Sequence, residues 1–416
     1  MLEYSDDLHR GRSDNRQAVL VQVSDFSLGR GLFLTRALRE AGLRVSVVTN
    51  EPVYQHTRSK GNGDNDNVVF HSLRIPLAKK LYGTIPGRLI VYTLFSIMAF
   101  MKMLRIRAPI LYSRGPQPFT EISCIAYKLF FPSTMIISDT TDLWPDSLAY
   151  VHMNTALRSF LIQIGTGVSK LVFARVDSVV THNPELAKIL HARFGKPIRI
   201  IYGVIDLGRF AAMEKIEATR AIDENDIKDL SSRFVVLYAG LLGPFQDPLK
   251  IIDIAQRLDS DTTFVVIGTG PLKNELQSRA SELGLRNVTF LGTRPFEEMP
   301  FLYNLADVYL LTYAKLPFLK IGLPKKFIEY AACGKPILCV SPPCVASDLA
   351  TSWNAGYCVD PDNIEDAVRM IRRLRDDQEE RKAMGRNARD LAENLFSIHA
   401  ASEALKEVIQ YRVPVG

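Results

Sequence analysis

Short β-branched runs recur along this chain between longer stretches of helical periodicity, and that alternation constrains the fold more than any other feature. Ala18–Val23, Val45–Val48, Val68–Phe70, Ile110–Tyr112, Met135–Ser138, Ser178–Thr181 and Ile198–Ile201 read as strands. They are nearly all apolar, as strands covered on both faces must be. Leu32–Ala41 reads as a helix stopped by Gly42. This order closes as a mostly parallel sheet covered by helices. It breaks over 211–232, which is polar and shows no strand pattern, and restarts with Phe234–Ala239, Phe264–Ile267, Val288–Leu291, Val308–Leu311 and Ile337–Val340. Asp247-Pro248 reads as the cap and first residue of the next helix. The expectation is an α/β protein with two doubly wound, Rossmann-like domains facing a central cleft. They would span 17–210 and 233–395, with a flexible tail at 1–16, a linker region at 211–232, and a last helix near 396–416 packed back on the first domain.

Composition narrows the function classes. The 416 residues are 47% apolar and 23% charged, ordinary for a globular protein. Lys and Arg number 51 against 45 Asp and Glu, a net charge of +6. That is too mild for a nucleic-acid scaffold but compatible with phosphorylated ligands or an anionic membrane surface. The five cysteines lack C-x-x-C spacing and read as reduced thiols. The seven histidines show no metal-ligand spacing, so no metal site is expected. Residues 1–16 lack the apolar segment of a signal peptide. The apolar run Leu89 to Met101 falls short of the roughly 20 residues a bilayer requires. A cytoplasmic protein is expected.

The sharpest local anomaly is LPKKFIEYAACG at 323–334. Pro324 fits the first position of a helix and Gly334 the residue beyond its end. Lys325 and Lys326 then occupy the first turn, where the helix dipole disfavours cations. Free N–H groups plus lysines make an anion site suited to a diphosphate, and Glu329, one turn on, could accept from both hydroxyls of a ribose. The plain alternative is a surface helix with Lys–Glu pairs. Three strand-to-helix turns add weaker signals: Gly240 to Gly243, Gly268 to Gly270, and Gly29-Arg30-Gly31. The second lacks the third glycine of a dinucleotide fingerprint, which argues against NAD. Asp139-Thr140-Thr141-Asp142-Leu143-Trp144-Pro145-Asp146, after the strand Met135–Ser138, is an acidic patch or a helix cap. Asp259-Ser260-Asp261 lies at the wrong end of its sheet for a metal motif, and the sequon at Asn287 falls on a strand.

The stretches YAGLLGPFQDPLKII (238–252), 265–300, LADVYLLTY (305–313) and GLPKKFIEYAACGKPIL (322–338) together resemble glycosyltransferase family 4 of the GT-B fold. The likeness is to the branch that assembles bacterial O-antigen, capsule and exopolysaccharide. DLWPDS (142–147) is similar to that branch's acidic motif, and RIIYGVIDLGRF (199–210) to the family's N-G-V-D segment, with Tyr202 in place of Asn. The resemblance implies that Glu329 holds the donor ribose and that Lys326, with Lys325 beside it, contacts the donor diphosphate. It implies that Gly240 and Gly243 line the phosphate turn, that Gly268, Gly270, Thr293 and Arg294 lie near the nucleobase, and that Gly29 and Gly31 close on the diphosphate. Asp142 and Asp139 would face the transferred sugar or the acceptor hydroxyl. Departures are Ile321, where the family's first acid stands, Leu241 in place of a common basic residue, and Lys325 in place of a small one.

The implied activity is retaining, metal-independent transfer of a hexose or N-acetylhexosamine from a UDP-sugar, or a GDP-sugar, to a glycan or polyprenyl-linked acceptor. Lys326 and a helix N-terminus would stabilise the leaving diphosphate. A catalytically silent nucleotide-sugar-binding partner subunit is the main alternative, motivated by Ile321 and Leu241. A UDP-sugar 2-epimerase would need more acidic and histidine groups, and a structural scaffold would leave the Lys325-Lys326 helix start unexplained. Residues 79–107 are basic and apolar, either a buried helix or a contact with the inner membrane surface.

Overall fold

A computed structural model of the chain describes residues 17–22, 30–50, 68–76, 78–81, 84–115, 118–142, 144–146, 154–222 and 229–410. The chain forms two compact units. One takes in residues up to Tyr202 and those from Ala401 on, the other Gly203–Ala400.

The first unit holds a seven-stranded sheet in the order β3-β2-β1-β4-β5-β6-β7. Its strands are β1 (Gln17–Gln22), β2 (Arg44–Asn50), β3 (Val68–Leu73), β4 (Ile110–Arg114), β5 (Met135–Asp139), β6 (Ser178–Thr181) and β7 (Ile198–Ile200). All pairings are parallel; Leu20 of β1 sits between Val47 of β2 and Tyr112 of β4. The strands run where the sequence is apolar because central strands have no wet face, and Ala18 to Val21 are fully buried. The strand order reverses between β1 and β4, the switch point at which such sheets bind ligands.

Helices Ile85–Ile106, Phe119–Phe130, Thr155–Arg175 and Pro184–Phe194 follow β3 to β6 and pack against one another in succession. Local chemistry starts three of them. The Thr84 side chain accepts from Gly87 N at 3.2 Å, Asn154 from Ala156 N at 2.9 Å, and Asn183 from Glu185 N at 2.9 Å with Pro184 at the first position. The first of these helices corrects a sequence expectation. The run Leu89 to Met101 lies within a 22-residue helix, and the segment Pro86–Ile106 is long and apolar enough to cross a membrane. Val91, Phe95, Ala99 and Met103, one residue per turn, are nonetheless fully buried in the unit's core.

The second unit holds a six-stranded parallel sheet in the order β10-β9-β8-β11-β12-β13. Its strands are β8 (Phe234–Ala239), β9 (Thr262–Ile267), β10 (Val288–Gly292), β11 (Val308–Thr312), β12 (Ile337–Val340) and β13 (Gly356–Val359). The sequence gives little sign of β13, because Gly-Tyr-Cys-Val contains a single β-branched residue. Its glycine is needed for close pairing, since a Cβ on Gly356 would lie 1.9 Å from Ile337 O. Residues 211–222 belong to this unit. They carry the helix Lys215–Ala221, Met213 N donates to Asn304 Oδ1 at 2.8 Å, and Lys215 pairs with Asp307 at 2.6 Å. Asp247 does not cap the helix Leu249–Ala255. It closes the short turn Pro244–Gln246 at φ 43°, and Pro248 takes the cap position.

Two strand-to-helix turns of this unit interlock. Gly268, at φ 134°, brings its backbone so near that a Cβ would lie 1.9 Å from Gly240 O; at Gly270 a Cβ would lie 2.4 Å from Leu242 O. Leu242 N donates to Thr269 O at 2.9 Å, and Leu272 N to Leu242 O at 2.9 Å. Gly268→Ala therefore strains the backbone and separates the turns, and is expected to cost about 3 kcal/mol or more in urea unfolding. Gly167→Ala, in a helix interior with no atom within 4 Å of the new Cβ, is expected to stabilise by about 0.5–1 kcal/mol.

Candidate functional site

The carboxyl end of β8 and the start of the helix Lys325–Cys333 meet in the second unit. Gly334, at φ 69°, ends that helix as its sequence suggests, whereas Pro324 precedes the first turn as its cap residue and makes no side-chain cap bond. Two contacts fix the helix. The Tyr330 hydroxyl accepts from Ala239 N at 2.8 Å and donates to Ala239 O at 3.3 Å. At the other end Arg389 Nη1 donates to Ala332 O at 2.7 Å and Phe210 O at 3.1 Å, a cation at a helix C-terminus where the dipole favours it.

A pocket of about 370 Å3 opens beside this helix start. It is lined by Gly240, Leu241, Gln246, Phe296, Tyr303, Lys325, Lys326 and Glu329, among others. Lys326 Nζ is buried, lies 3.8 Å above the Tyr238 ring, and makes no hydrogen bond among the described residues. Burial lowers its pKa to about 7. Gly240 keeps the space beside it, since a Cβ there would lie 3.3 Å from Nζ. Glu329, 6% exposed, accepts from the Tyr303 hydroxyl at 2.7 Å, and Lys325 Nζ stands 3.2 Å from it. Burial and the neighbouring carboxylate raise the Tyr303 pKa well above the usual phenol value. Phe296 is flanked by Lys325 Nζ at 4.5 Å and the Arg209 guanidinium at 4.3 Å. A Lys–Glu pair thus accounts for Lys325 but not for Lys326.

The other sequence candidates lie elsewhere. Gly243 is buried behind Leu241 and Gln246. Gly268 and Gly270 serve the apposition of the two turns. Thr293 is exposed, and Arg294 Nε donates to Leu291 O at 3.1 Å. In the first unit, Asp139 is 1% exposed at the end of β5, with Arg114 Nε 3.8 Å away, and Arg114 Nη1 donates to Gln22 Oε1 at 2.9 Å. These three residues bring together the carboxyl ends of β5, β4 and β1. Asp142 is exposed. Gly31 lies in the first turn of the helix Arg30–Glu40, while Gly29 falls outside the described residues. Asn287 is buried and donates to Ala255 O at 3.1 Å, and Asp259 pairs with Arg375 at 2.8 Å. Among the described residues no His, Cys, Asp and Glu cluster could hold a metal.

Sequence reasoning missed Tyr303, Tyr238, Phe296, Gln246, Gln22 and Arg114. Each comes from a different element and carries no local anomaly. An isolated tyrosine in an apolar run reads as core until a buried carboxylate is placed against its hydroxyl.

Lys326 also makes a stability prediction. Its folded pKa lies below the unfolded value of 10.5, so the unfolded chain binds more protons between about pH 7 and pH 10.5 and stability rises with pH across that window. Lys326→Met is expected to unfold later in urea at pH 7 and to lose that rise. Equal pH profiles for the two proteins would refute the assignment.

Comparison with known proteins adds the following. The family model "Glycosyl transferases group 1" matches residues 221–391. The N-acetylgalactosamine-N,N'-diacetylbacillosaminyl-diphospho-undecaprenol 4-alpha-N-acetylgalactosaminyltransferase of Campylobacter jejuni is 25% identical over 262 residues, 62% of this chain and 65% of that protein. The UDP-Gal:alpha-D-GlcNAc-diphosphoundecaprenol alpha-1,3-galactosyltransferase of Escherichia coli is 24% identical over 55% of this chain and 59% of that protein. The chain thus spans less than two thirds of the length of these two relatives. Among solved structures, Anabaena HepE in complex with UDP superposes with a TM-score of 0.69 at 14% identity, over 95% of this chain and all of that one. WaaG, a glycosyltransferase involved in lipopolysaccharide biosynthesis, superposes with a TM-score of 0.62 at 15% identity, over 94% of this chain and 99% of that one.

Proposed function

We propose that this chain, a GT-B glycosyltransferase whose residues 221–391 match the group 1 family, transfers a hexose or N-acetylhexosamine from a nucleoside diphosphate sugar to a lipid-linked glycan. The observation that carries the reading is the buried Lys326 ammonium, which has no hydrogen-bond partner among the described residues and faces a pocket at a helix N-terminus. A buried cation without a partner is costly, and a diphosphate at that helix start would supply one. Relatives named for diphospho-undecaprenol acceptors support the acceptor class, and a fold neighbour solved with UDP supports uridine as the nucleoside.

In this reading Glu329, held by Tyr303 and Lys325, accepts from the donor ribose. Lys326 and the free N–H groups of the first helical turn take up the charge that develops on the leaving diphosphate. No metal is assigned to that task. The bond from the sugar's anomeric carbon to the diphosphate breaks, and the acceptor oxygen bonds to the same face. Attack and departure on one face retain the configuration, and the acceptor's proton passes to a donor phosphate oxygen. On the acceptor side we assign Asp139, braced by Arg114, and Asp142.

Calorimetric titration with UDP, GDP, ADP and CMP tests the donor site. UDP is expected to bind best, and Glu329→Ala to weaken it by about 1–3 kcal/mol. Because Lys326 must be protonated to meet the diphosphate, affinity is expected to fall as pH rises from 6 to 9, with up to one proton taken up on binding. Folded protein that binds no nucleotide would defeat the reading. UDP binding without transfer or donor hydrolysis would move the silent-subunit reading ahead, with Ile321 and Leu241 as its cause.

A further inference from the structure

Of the side chains that line the second unit's pocket, two present a buried polar atom with no hydrogen-bond partner among the described residues: Lys326 through Nζ and Gln246 through Oε1. Their needs are opposite. The ammonium only donates, and the amide oxygen only accepts. An ionised diphosphate offers oxygens that accept, so it satisfies Lys326 and leaves Gln246 Oε1 unpaired. Glu329 differs from both, since it already has Tyr303 and Lys325 beside it. Burying an acceptor without a partner is costly. The filled site is complete only when the ligand also brings an O–H or N–H to Gln246.

The backbone holds this amide in place. Gln246 N donates to Gly243 O at 3.1 Å, and Gln246 O accepts from Thr312 Oγ1. Ala314 N donates to Phe245 O at 3.1 Å, so the turn after β8 is tied to the end of β11 as well. Gly243 leaves room for the side chain, since a Cβ there would lie 3.0 Å from Gln246 Oε1. The same turn is otherwise apolar at its surface. Leu241 and Phe245 are exposed, and Phe318 meets Phe245 edge-on with ring centroids 5.3 Å apart. A fixed polar group in an apolar frame is how a pocket sets the orientation of its ligand.

The neighbours decide which part of the ligand faces Gln246, a step that rests on the donor reading above. Lys326 stands on the helix that carries Glu329 and approaches Gly240, on the turn that carries Gln246. It therefore lies between the two. With the ribose at Glu329 and the diphosphate at Lys326, the group at Gln246 lies beyond the diphosphate, where a nucleoside diphosphate sugar carries the transferred sugar. We propose that Gln246 accepts a hydrogen bond from a hydroxyl or acetamido N–H of that sugar and is a specificity-determining residue for the donor. Donors that carry this group are favoured over deoxy sugars that lack it, because the deoxy sugar leaves the buried oxygen unpaired.

The test is titration of the full chain with UDP, UDP-glucose, UDP-galactose and the 2-acetamido forms of both, beside Gln246→Met, which keeps the side-chain length and removes the amide. In the variant UDP affinity is expected to stay within about twofold, while the UDP-sugar bound best by the wild type weakens about tenfold. Deoxyfluoro analogues of that UDP-sugar locate the contact, because fluorine in place of the hydroxyl or acetamido group cannot donate. At one ring position the analogue is expected to bind the wild type about tenfold more weakly and to bind Gln246→Met as well as its parent does, the coupling of a double-mutant cycle. Circular dichroism checks folding, and Gln246→Ala replaces the methionine variant if that one does not fold. The proposal is overturned if the folded variant weakens UDP and UDP-sugar alike, which places the amide on the nucleotide or its phosphates, if it weakens neither, or if no ring position couples to it. A wild type that binds no UDP defeats the donor reading and this inference together, whereas the other failures leave that reading standing.

Discussion

The paired hydrogen bonds between the Tyr330 hydroxyl and the backbone of Ala239 hold the second unit's pocket in register. They tie the helix Lys325–Cys333 to the last residue of β8, and so set where that helix begins. Each bond contributes only about 1 kcal/mol net, but leaving such buried groups unpaired costs more. Tyr330 is itself clamped, stacked on Tyr309 with ring centroids 4.2 Å apart and met edge-on by Tyr303 at 5.4 Å. From that anchor the first turn presents Lys326 over Tyr238, and Tyr303 reaches Glu329. The Arg389 contacts with Ala332 and Phe210 keep the helix from sliding along its axis.

One turn of helix then holds two electrostatic situations. Glu329 is buried with a phenol donor and a cation beside it, so its charge is met within the protein. Among the described residues Lys326 Nζ has only the face of an aromatic ring, which attracts a cation but accepts no hydrogen bond in the ordinary sense. The difference of one partner separates a group that orients from a group that waits for an anion.

Much of this architecture is legible in the sequence because parallel strands buried on both faces leave long apolar signatures. Ser178–Thr181, Phe234–Ala239 and Ile337–Val340 have the same bounds when read as sequence and as structure. Lys325 and Lys326 stand out because they break a local rule, cations in the first turn of a helix. What is hidden depends on tertiary approach. β13 follows from a glycine that lets it pair with β12. Gly268 and Gly270 look like ligand-facing turn residues, yet their close contacts are with the neighbouring turn. Asp247 resembles a helix cap until the preceding turn draws it into the left-handed region.

Gly165 lies on the helix Thr155–Arg175, where a Cβ would stand 2.6 Å from Pro145 and 2.9 Å from the Trp144 ring. The indole and proline rest directly on that helix backbone, with no side chain between to absorb movement. The segment that follows β5 and carries Asp142 and Asp146 is referenced to that helix. A shift of that helix along or across its axis therefore carries the acidic segment with it, so the two move as one piece of the first unit.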